Sequence, residues 1–220
     1  MPEAKTEAKT EERVKLVLAS ASPRRLALLE QAGLVADLLN PTDIDETQRK
    51  RETPRALSLR LAGEKAKAAA TAPLVKALAG PVFILAADTV VAVGRRVIGK
   101  PQSVEEATAA LELLSGRSHH VYSSICLITP QNSSRTRVVD TKVRFKRLTR
   151  EDIECYLMSE EWRGKAGGYA IQGRAEAFVR SLNGSYSGVV GLPLYEVTAL
   201  LQGNGFPLYF TLANTSRERT

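Results

Sequence analysis

Residues 81–93 read Pro81-Val82-Phe83-Ile84-Leu85-Ala86-Ala87-Asp88-Thr89-Val90-Val91-Ala92-Val93, an apolar run that is continuous rather than alternating. Alternation marks a strand with one wet face, so continuity predicts a strand covered on both faces, deep inside a layered sheet. The same run leaves Asp88 as a carboxylate inside an apolar strand. Desolvation there is costly unless the group is ion-paired, bound to a metal or placed at a cleft. A structural ion pair, a metal ligand and a base acting on water each meet that condition.

A second strand, Lys15–Ala19, feeds a helix whose apolar face is Leu26, Leu28, Leu29 and Ala32 and whose stop is Gly33. Pro23 is pre-set for the first helical position, with Ser22 behind it as the capping hydroxyl. Arg24 and Arg25 therefore fall in the first turn, where the free amides and the macrodipole oppose each cation by roughly 0.3–1 kcal/mol. Two guanidinium forks, hydroxyls and free amides converging after a strand make a candidate phosphate site, unless both arginines simply point into solvent. No glycine-rich Walker or Rossmann loop competes for that role.

Further along, Asn40-Pro41-Thr42-Asp43-Ile44-Asp45-Glu46 is a polar, acidic loop, and Thr53-Pro54 opens a helix carrying Leu57, Leu61, Ala66, Ala69 and Ala70, with Lys65 and Lys67 beside that stripe. Gly94-Arg95-Arg96 turns the buried strand back toward Gly99-Lys100-Pro101. Ser103-Val104-Glu105-Glu106 has the pattern of a capping box for a helix that Gly116 ends. Strands follow at Val121–Thr129 and Val138–Leu148, then a helix from Thr149 and Asp152. A glycine-punctuated stretch from Gly164 to Gly191 is expected to be close-packed loop and strand around a ligand. Pro193 starts a last helix through Leu200 and Leu201. Strands and helices mix without a regular βαβ repeat, so the expected fold is α/β, a mixed twisted central sheet flanked by helices. Residues 14–210 are expected to form one domain, with flexible tails at 1–13 and 211–220.

A formal charge of +7 over 220 residues suits an anionic partner, either a phosphorylated small ligand or a nucleic acid. Aromatic residues make up only 5%, too few for a convincing base-stacking platform. Cys126 and Cys155 lack metal-ligand spacing, no charged-then-apolar leader precedes the first strand, and no apolar run is long enough to span a bilayer. A cytoplasmic protein without a membrane partner is expected. His119 and His120 are adjacent, cannot both face one site from a strand, and are given no metal role. Glu46 is a candidate to join Asp88 around a hard cation such as Mg²⁺ or Mn²⁺, a part that Asp43 or Asp45 could equally take. Lys65 and Lys100 add candidate phosphate contacts, against the alternative of ordinary surface lysines.

Four segments occur in order: Ala19-Ser20-Ala21-Ser22-Pro23-Arg24-Arg25, Ala86-Ala87-Asp88-Thr89-Val90-Val91, Gly99-Lys100-Pro101 and Lys165-Ala166-Gly167-Gly168-Tyr169-Ala170-Ile171-Gln172-Gly173. With Gly184-Ser185-Tyr186 and Val189-Val190-Gly191-Leu192-Pro193-Leu194 they resemble the Maf family of nucleoside triphosphate pyrophosphatases over roughly residues 14–203. The resemblance implies a Maf/ITPase-like fold with an active-site cleft between two lobes. It also implies hydrolysis of a triphosphate at the α–β link, a divalent metal cofactor, a homodimer and an association with nucleotide-pool cleansing and cell-division arrest. By similarity Asp88, Lys65 and Lys100 are catalytic, Ser20 and Arg24 hold the substrate, and Glu46 and Asp88 hold the metal. Arg25, Thr89 and Gln172 match the specificity set of the dTTP/UTP branch. Gln172 suits a pyrimidine with carbonyls and an imide N–H, because its amide both donates and accepts. Ala21 stands where glycine is common in the family. The alternatives are a pyrophosphatase for 7-methyl-GTP or another modified nucleotide, and a non-catalytic nucleic-acid-binding module. Asp88 argues against the latter, since a binder of phosphate backbones gains nothing from a buried carboxylate, and no stable nucleic-acid partner is expected.

Overall fold

The computed structural model describes residues 13–208, so the expected tails, Arg13 apart, lie outside the described residues. The chain runs β1 (Lys15–Leu18), α1 (Pro23–Gln31), β2 (Leu38–Leu39), α2 (Pro54–Thr71), α3 (Pro73–Lys76), β3 (Val82–Val93), β4 (Arg96–Ile98) and α4 (Val104–Leu114). It continues through β5 (Ser118–Ile128), β6 (Ser134–Phe145), α5 (Arg150–Met158), two 3-10 turns (Ala166–Gly168 and Arg174–Phe178), β7 (Val179–Asn183), α6 (Tyr186–Val190) and α7 (Leu194–Gly203).

The sheet is mixed, as the irregular alternation of elements predicts. Its order is β2-β1-β3-β5-β6-β7, with β4 also on β3. β1 pairs in parallel with β2 and β3, and the other pairs are antiparallel. β5 runs along one edge of β3 from Ile84 to Ala92. On the opposite edge β1 covers residues 82–85 and β4 covers 91–93. Between them, residues 86–90 have no strand on that side, and the sheet carries a notch at Asp88.

Side chains of β3 alternate between two cores, which is why its sequence does not alternate. Phe83, Leu85, Ala87 and Val91 join the larger core with α1, α4, α5 and α7, whereas Ile84 and Ala86 pack on Ala62, Ala66 and Ala69 of α2. Asp88 belongs by register to the α2 side and Thr89 to the other.

Local chemistry fixes the element ends. Thr53 accepts from the Ala56 amide at 3.2 Å to start α2, and Thr149 and Asp152 form a reciprocal capping box at α5. Two expectations about caps are corrected. Ser22 makes no side-chain cap at α1; its own amide instead donates to Ser20 Oγ at 3.1 Å, which turns the chain into the helix. At α4 Ser103 caps the Glu106 amide, but the Glu106 carboxylate reaches back to the Gln102 amide at 2.8 Å, one residue before a true box. β5 and β6 begin earlier than expected because they form one long hairpin paired from Ser118 to Ser134. The glycine-rich stretch contains, besides loop and β7, the short helix α6 and two 3-10 turns.

Candidate active site

Lys65 projects from α2, among buried alanines, into the notch. Its Nζ lies 2.6 Å from Asp88 Oδ1 and 2.6 Å from Glu46 Oε1, so one ammonium bridges two carboxylates. Lys65 is 8% exposed and Asp88 5%, which makes their pairing obligatory: an isolated charge in either place would carry a desolvation penalty of several kcal/mol. Lys100, in the turn after β4, approaches Glu46 Oε2 at 3.3 Å. Burial alone would raise the Glu46 pKa. The hydrogen bond and charge of Lys65, followed by those of Lys100, outweigh it and hold the carboxyl below its ordinary value.

Glu46 sits on a loop without regular structure, and α2 keeps that loop in place. Arg60 grips Glu52 with Nε at 2.7 Å and Nη2 at 2.9 Å, and donates to the Thr47 carbonyl at 2.9 Å and to Glu64 at 2.9 Å. The fork depresses the Glu52 pKa to about 2. This two-pronged pair is the strongest anchor of the acidic loop. Asp45, weighed with Glu46 as an acidic candidate, accepts from the Thr47 amide at 2.9 Å and turns its own loop.

The paired arginines part company at the notch. Arg25 donates from Nε to the Gly191 carbonyl at 2.9 Å, from Nη1 to Ser20 Oγ at 3.3 Å and from Nη2 to Thr89 Oγ1 at 3.4 Å. Burial lowers its pKa, and the charges of Asp88 and Glu46 oppose that shift. Gly191 has φ 138°, a conformation open to glycine, and an added Cβ would lie 3.5 Å from Arg25 Nε. Arg24 makes no hydrogen bond or ion pair among the described residues. Burial and then Arg25 lower its pKa. Its five N–H groups remain available to a ligand.

Two adjoining cavities open here. One, of about 330 Å³, passes Asp88, Thr89, Lys65, Tyr169, Ile171 and Gln172. The other, of about 410 Å³, follows the 19–25 loop past Ser20, Arg24, Thr42 and Lys100. Arg24, Arg25, Glu46, Lys65, Lys100 and Lys165 line both, so the two form one cleft. Asp88 and Thr89 point to opposite faces of the sheet yet reach the same space, because no strand closes the notch between them.

Of the site residues named from the sequence, Ser20, Arg24, Arg25, Glu46, Lys65, Asp88, Thr89, Lys100 and Gln172 lie along this cleft, whereas Asp43 and Asp45, the alternatives to Glu46, do not line it. Glu46 and Asp88 are its acidic oxygen donors, and among the described residues no group of three or more His, Cys, Asp or Glu forms a metal cluster. His119 is buried against the Tyr169 hydroxyl at 2.8 Å, its pKa pushed down to about 4 by burial, whereas His120 pairs with Asp140 at the surface. The two histidines indeed face apart. Sequence reasoning missed Lys165, a further cation in the cleft, although it heads the motif that contains Gln172. It also missed Arg60 and Glu52, whose pairing nothing local signals.

The arrangement can bind a polyanion along one arm and an uncharged, hydrogen-bonding group in the other, with a carboxylate at their junction. Comparison with known proteins places the chain in a family. A family model described as "Maf-like protein" matches residues 15–204. A protein of Rhodopseudomonas palustris named dTTP/UTP pyrophosphatase is 57% identical over 93% of this chain and 99% of its own. One of the same name from Nitrobacter winogradskyi is 60% identical over 89% of this chain and 95% of its own. Among solved structures, a HAM1 protein from Coxiella burnetii is similar over 63% of this chain and 76% of that one, at 21% identity and a TM-score of 0.42. With 190 of its residues spanned by the family model and its site motifs gathered in one cleft, the chain belongs to the Maf family.

Proposed function

We propose that this chain hydrolyses dTTP and UTP to the nucleoside monophosphate and pyrophosphate. The observation that carries the reading is the buried Asp88–Lys65 pair at the junction of a cation-lined arm and an arm ending at Gln172. A plain anion-binding site has no use for that carboxylate.

In this reading the triphosphate lies along the 19–25 loop, with Arg24, Ser20 and Lys100 on its oxygens. Asp88 accepts a proton from the attacking water, the water oxygen bonds to the α-phosphorus, and the bond from that phosphorus to the bridging oxygen breaks. The electron pair leaves with pyrophosphate. Lys65, 2.6 Å from Asp88 Oδ1, orients that carboxylate and meets charge developing on the phosphoryl oxygens, a preorganised contact that reorienting water cannot match. Gln172 reads the pyrimidine edge through paired donor and acceptor groups, and Arg25, held to Thr89 and Gly191, shapes the wall beside it.

The donor set fits a hard divalent cation. Mg²⁺ takes one or two carboxylates and completes its shell with water and substrate phosphates, and Glu46 and Asp88 offer that number and type of oxygen. Bound at Glu46 and Asp88, the cation would supply Lewis-acid neutralisation of the phosphates and lower the pKa of a nearby water. A cytoplasmic homodimer that cleanses the nucleotide pool is the matching cellular reading, and it rests on family resemblance.

The test is a triphosphate panel with Mg²⁺ and Mn²⁺, scored for pyrophosphate against orthophosphate. Pyrophosphate from dTTP and UTP, absent without metal, is expected. Preferential turnover of 7-methyl-GTP would assign the chain to the alternative branch, and orthophosphate release would refute attack at the α-phosphorus.

A further inference from the structure

Gln172 sits in a tight turn. The Gly173 amide donates to the Ala170 carbonyl at 3.0 Å, with Ile171 and Gln172 as the central residues. Ile171 is buried in the core and Gln172 is exposed to the cleft. Both ends of the turn are tied to the segment that begins in α5. Before it, the Ala170 amide donates to the Tyr156 hydroxyl at 3.0 Å. After it, the Arg174 amide donates to Glu161 Oε2 at 2.8 Å.

Glu161 is itself held. Its amide donates to Ser159 Oγ at 3.3 Å, and the next residue, Trp162, is 1% exposed with its indole N–H on the Leu157 carbonyl at 3.2 Å. Its carboxylate lies against Gly173, where an added Cβ would overlap Oε2. Glycine at 173 therefore admits a carboxylate that no larger residue would, and that carboxylate reaches past it to the Arg174 amide. The nearest charged partner, Arg174 Nε, is 3.8 Å away and its side chain is 70% exposed, so the ion pair adds little to the amide bond.

We propose that Glu161 is a positioning residue for base selection, its carboxylate fixing the Ala170–Gly173 turn so that the Gln172 amide meets the pyrimidine edge in register. The proposal rests on the reading of Gln172 as the base-reading group. An unfixed turn still presents the amide, but over a range of orientations, so discrimination suffers more than turnover of the preferred substrate.

The test compares kcat/KM for dTTP against dATP in four variants, with Tm and circular dichroism as controls. Gln172→Ala establishes the reading on which the proposal stands. If it leaves the dTTP:dATP ratio unchanged, that reading fails and the proposal with it. Given a reduced ratio there, Glu161→Ala is expected to lower it roughly tenfold, as loss of one charged hydrogen bond would. Glu161→Gln keeps an acceptor oxygen at the same reach and should restore most of the ratio. Glu161→Asp keeps the charge but falls a methylene short and should not, and it stands in should the alanine variant fail to fold. Combining Glu161→Ala with Gln172→Ala should lower the ratio no further than Gln172→Ala alone. A wild-type ratio in Glu161→Ala or Glu161→Asp, beside a reduced one in Gln172→Ala, overturns the proposal, as does an independent further loss in the double variant.

Discussion

Arg24→Lys and Arg25→Lys each preserve a positive charge and remove a fork, but the two neighbours should fail in different ways. The Arg25 fork is occupied by the protein. Its bond to the Gly191 carbonyl is 2.9 Å, while those to Ser20 and Thr89, at 3.3 and 3.4 Å, are long enough to contribute little. A lysine amine cannot reach three divergent acceptors, so the loss is about one charged hydrogen bond, roughly 1.5–3 kcal/mol. At roughly 2–4 °C per kcal/mol for a chain of this size, Tm should fall by roughly 3–12 °C. Arg24 touches no protein acceptor among the described residues, so Arg24→Lys should leave Tm within about 1 °C, the behaviour of a site with nothing structural to lose. Its effect belongs to turnover. Losing a preorganised donor to the transition state costs roughly 10²–10³ in kcat. Thermal scanning with a pyrophosphate-release assay on all substrates reads both quantities. The reasoning is refuted if Arg24→Lys melts as early as Arg25→Lys, or if Arg24→Lys turns over at the wild-type rate.

Asp88→Asn should keep the Lys65 contact through the amide oxygen while losing the proton acceptor, cutting pyrophosphate release by roughly 10²–10⁴ with an unchanged circular dichroism spectrum; a variant retaining most of the activity removes Asp88 from catalysis. Gln172→Leu should reduce turnover of dTTP and UTP more than that of purine triphosphates, because it leaves the polar edge of the base unpaired, and an unaltered kcat/KM ratio across the panel would count against the assignment. Glu52 titrates at about 2 when folded against an ordinary 4.5, so its stabilisation is complete above pH 4.5 and is lost as pH falls from there toward 2. Arg60→Met should abolish that contribution, flattening the acid side of the Tm–pH profile relative to wild type; parallel profiles would show that the pair is not the anchor described.

The fold was readable where one stretch of chain contained its own cause. An unbroken apolar run gave a doubly covered β3, and Thr53-Pro54 and Thr149-x-x-Asp152 carried their caps in adjacent residues. Ser22 misled because a hydroxyl in the right place need not act: the Ser20 hydroxyl already accepts the amide and the Arg25 fork that turn the loop. In the site, Asp88 announced itself through desolvation, since an apolar strand cannot tolerate an idle carboxylate. Glu46 could not be separated from Asp43 and Asp45 by sequence, because the choice is made by Lys65, 19 positions away on another element. Arg60–Glu52 and Glu161–Arg174 were invisible for the same reason. Both are ordinary charged residues in exposed-looking segments, and their importance comes from partners that only the folded chain supplies.

The notch in the sheet explains why one short motif serves two arms of the cleft. In a closed sheet, Asp88 and Thr89 would face separate cores and could not share a ligand. Here β1 stops at the level of Leu85 and β4 begins at Val91, so the side chains on either face of β3 open into one space. The loop leaving β1 turns into α1 at that opening. Successive residues on a helix diverge by about 100°, so two adjacent arginines cannot do the same work there. Arg25 turns inward, to Thr89 and Gly191, and fastens the far wall to the notch. Arg24 is left facing the cation-lined arm. The helix dipole that opposes both cations thus adds its positive potential to that of Arg24, and the geometry that disfavours a free arginine favours one carrying a triphosphate.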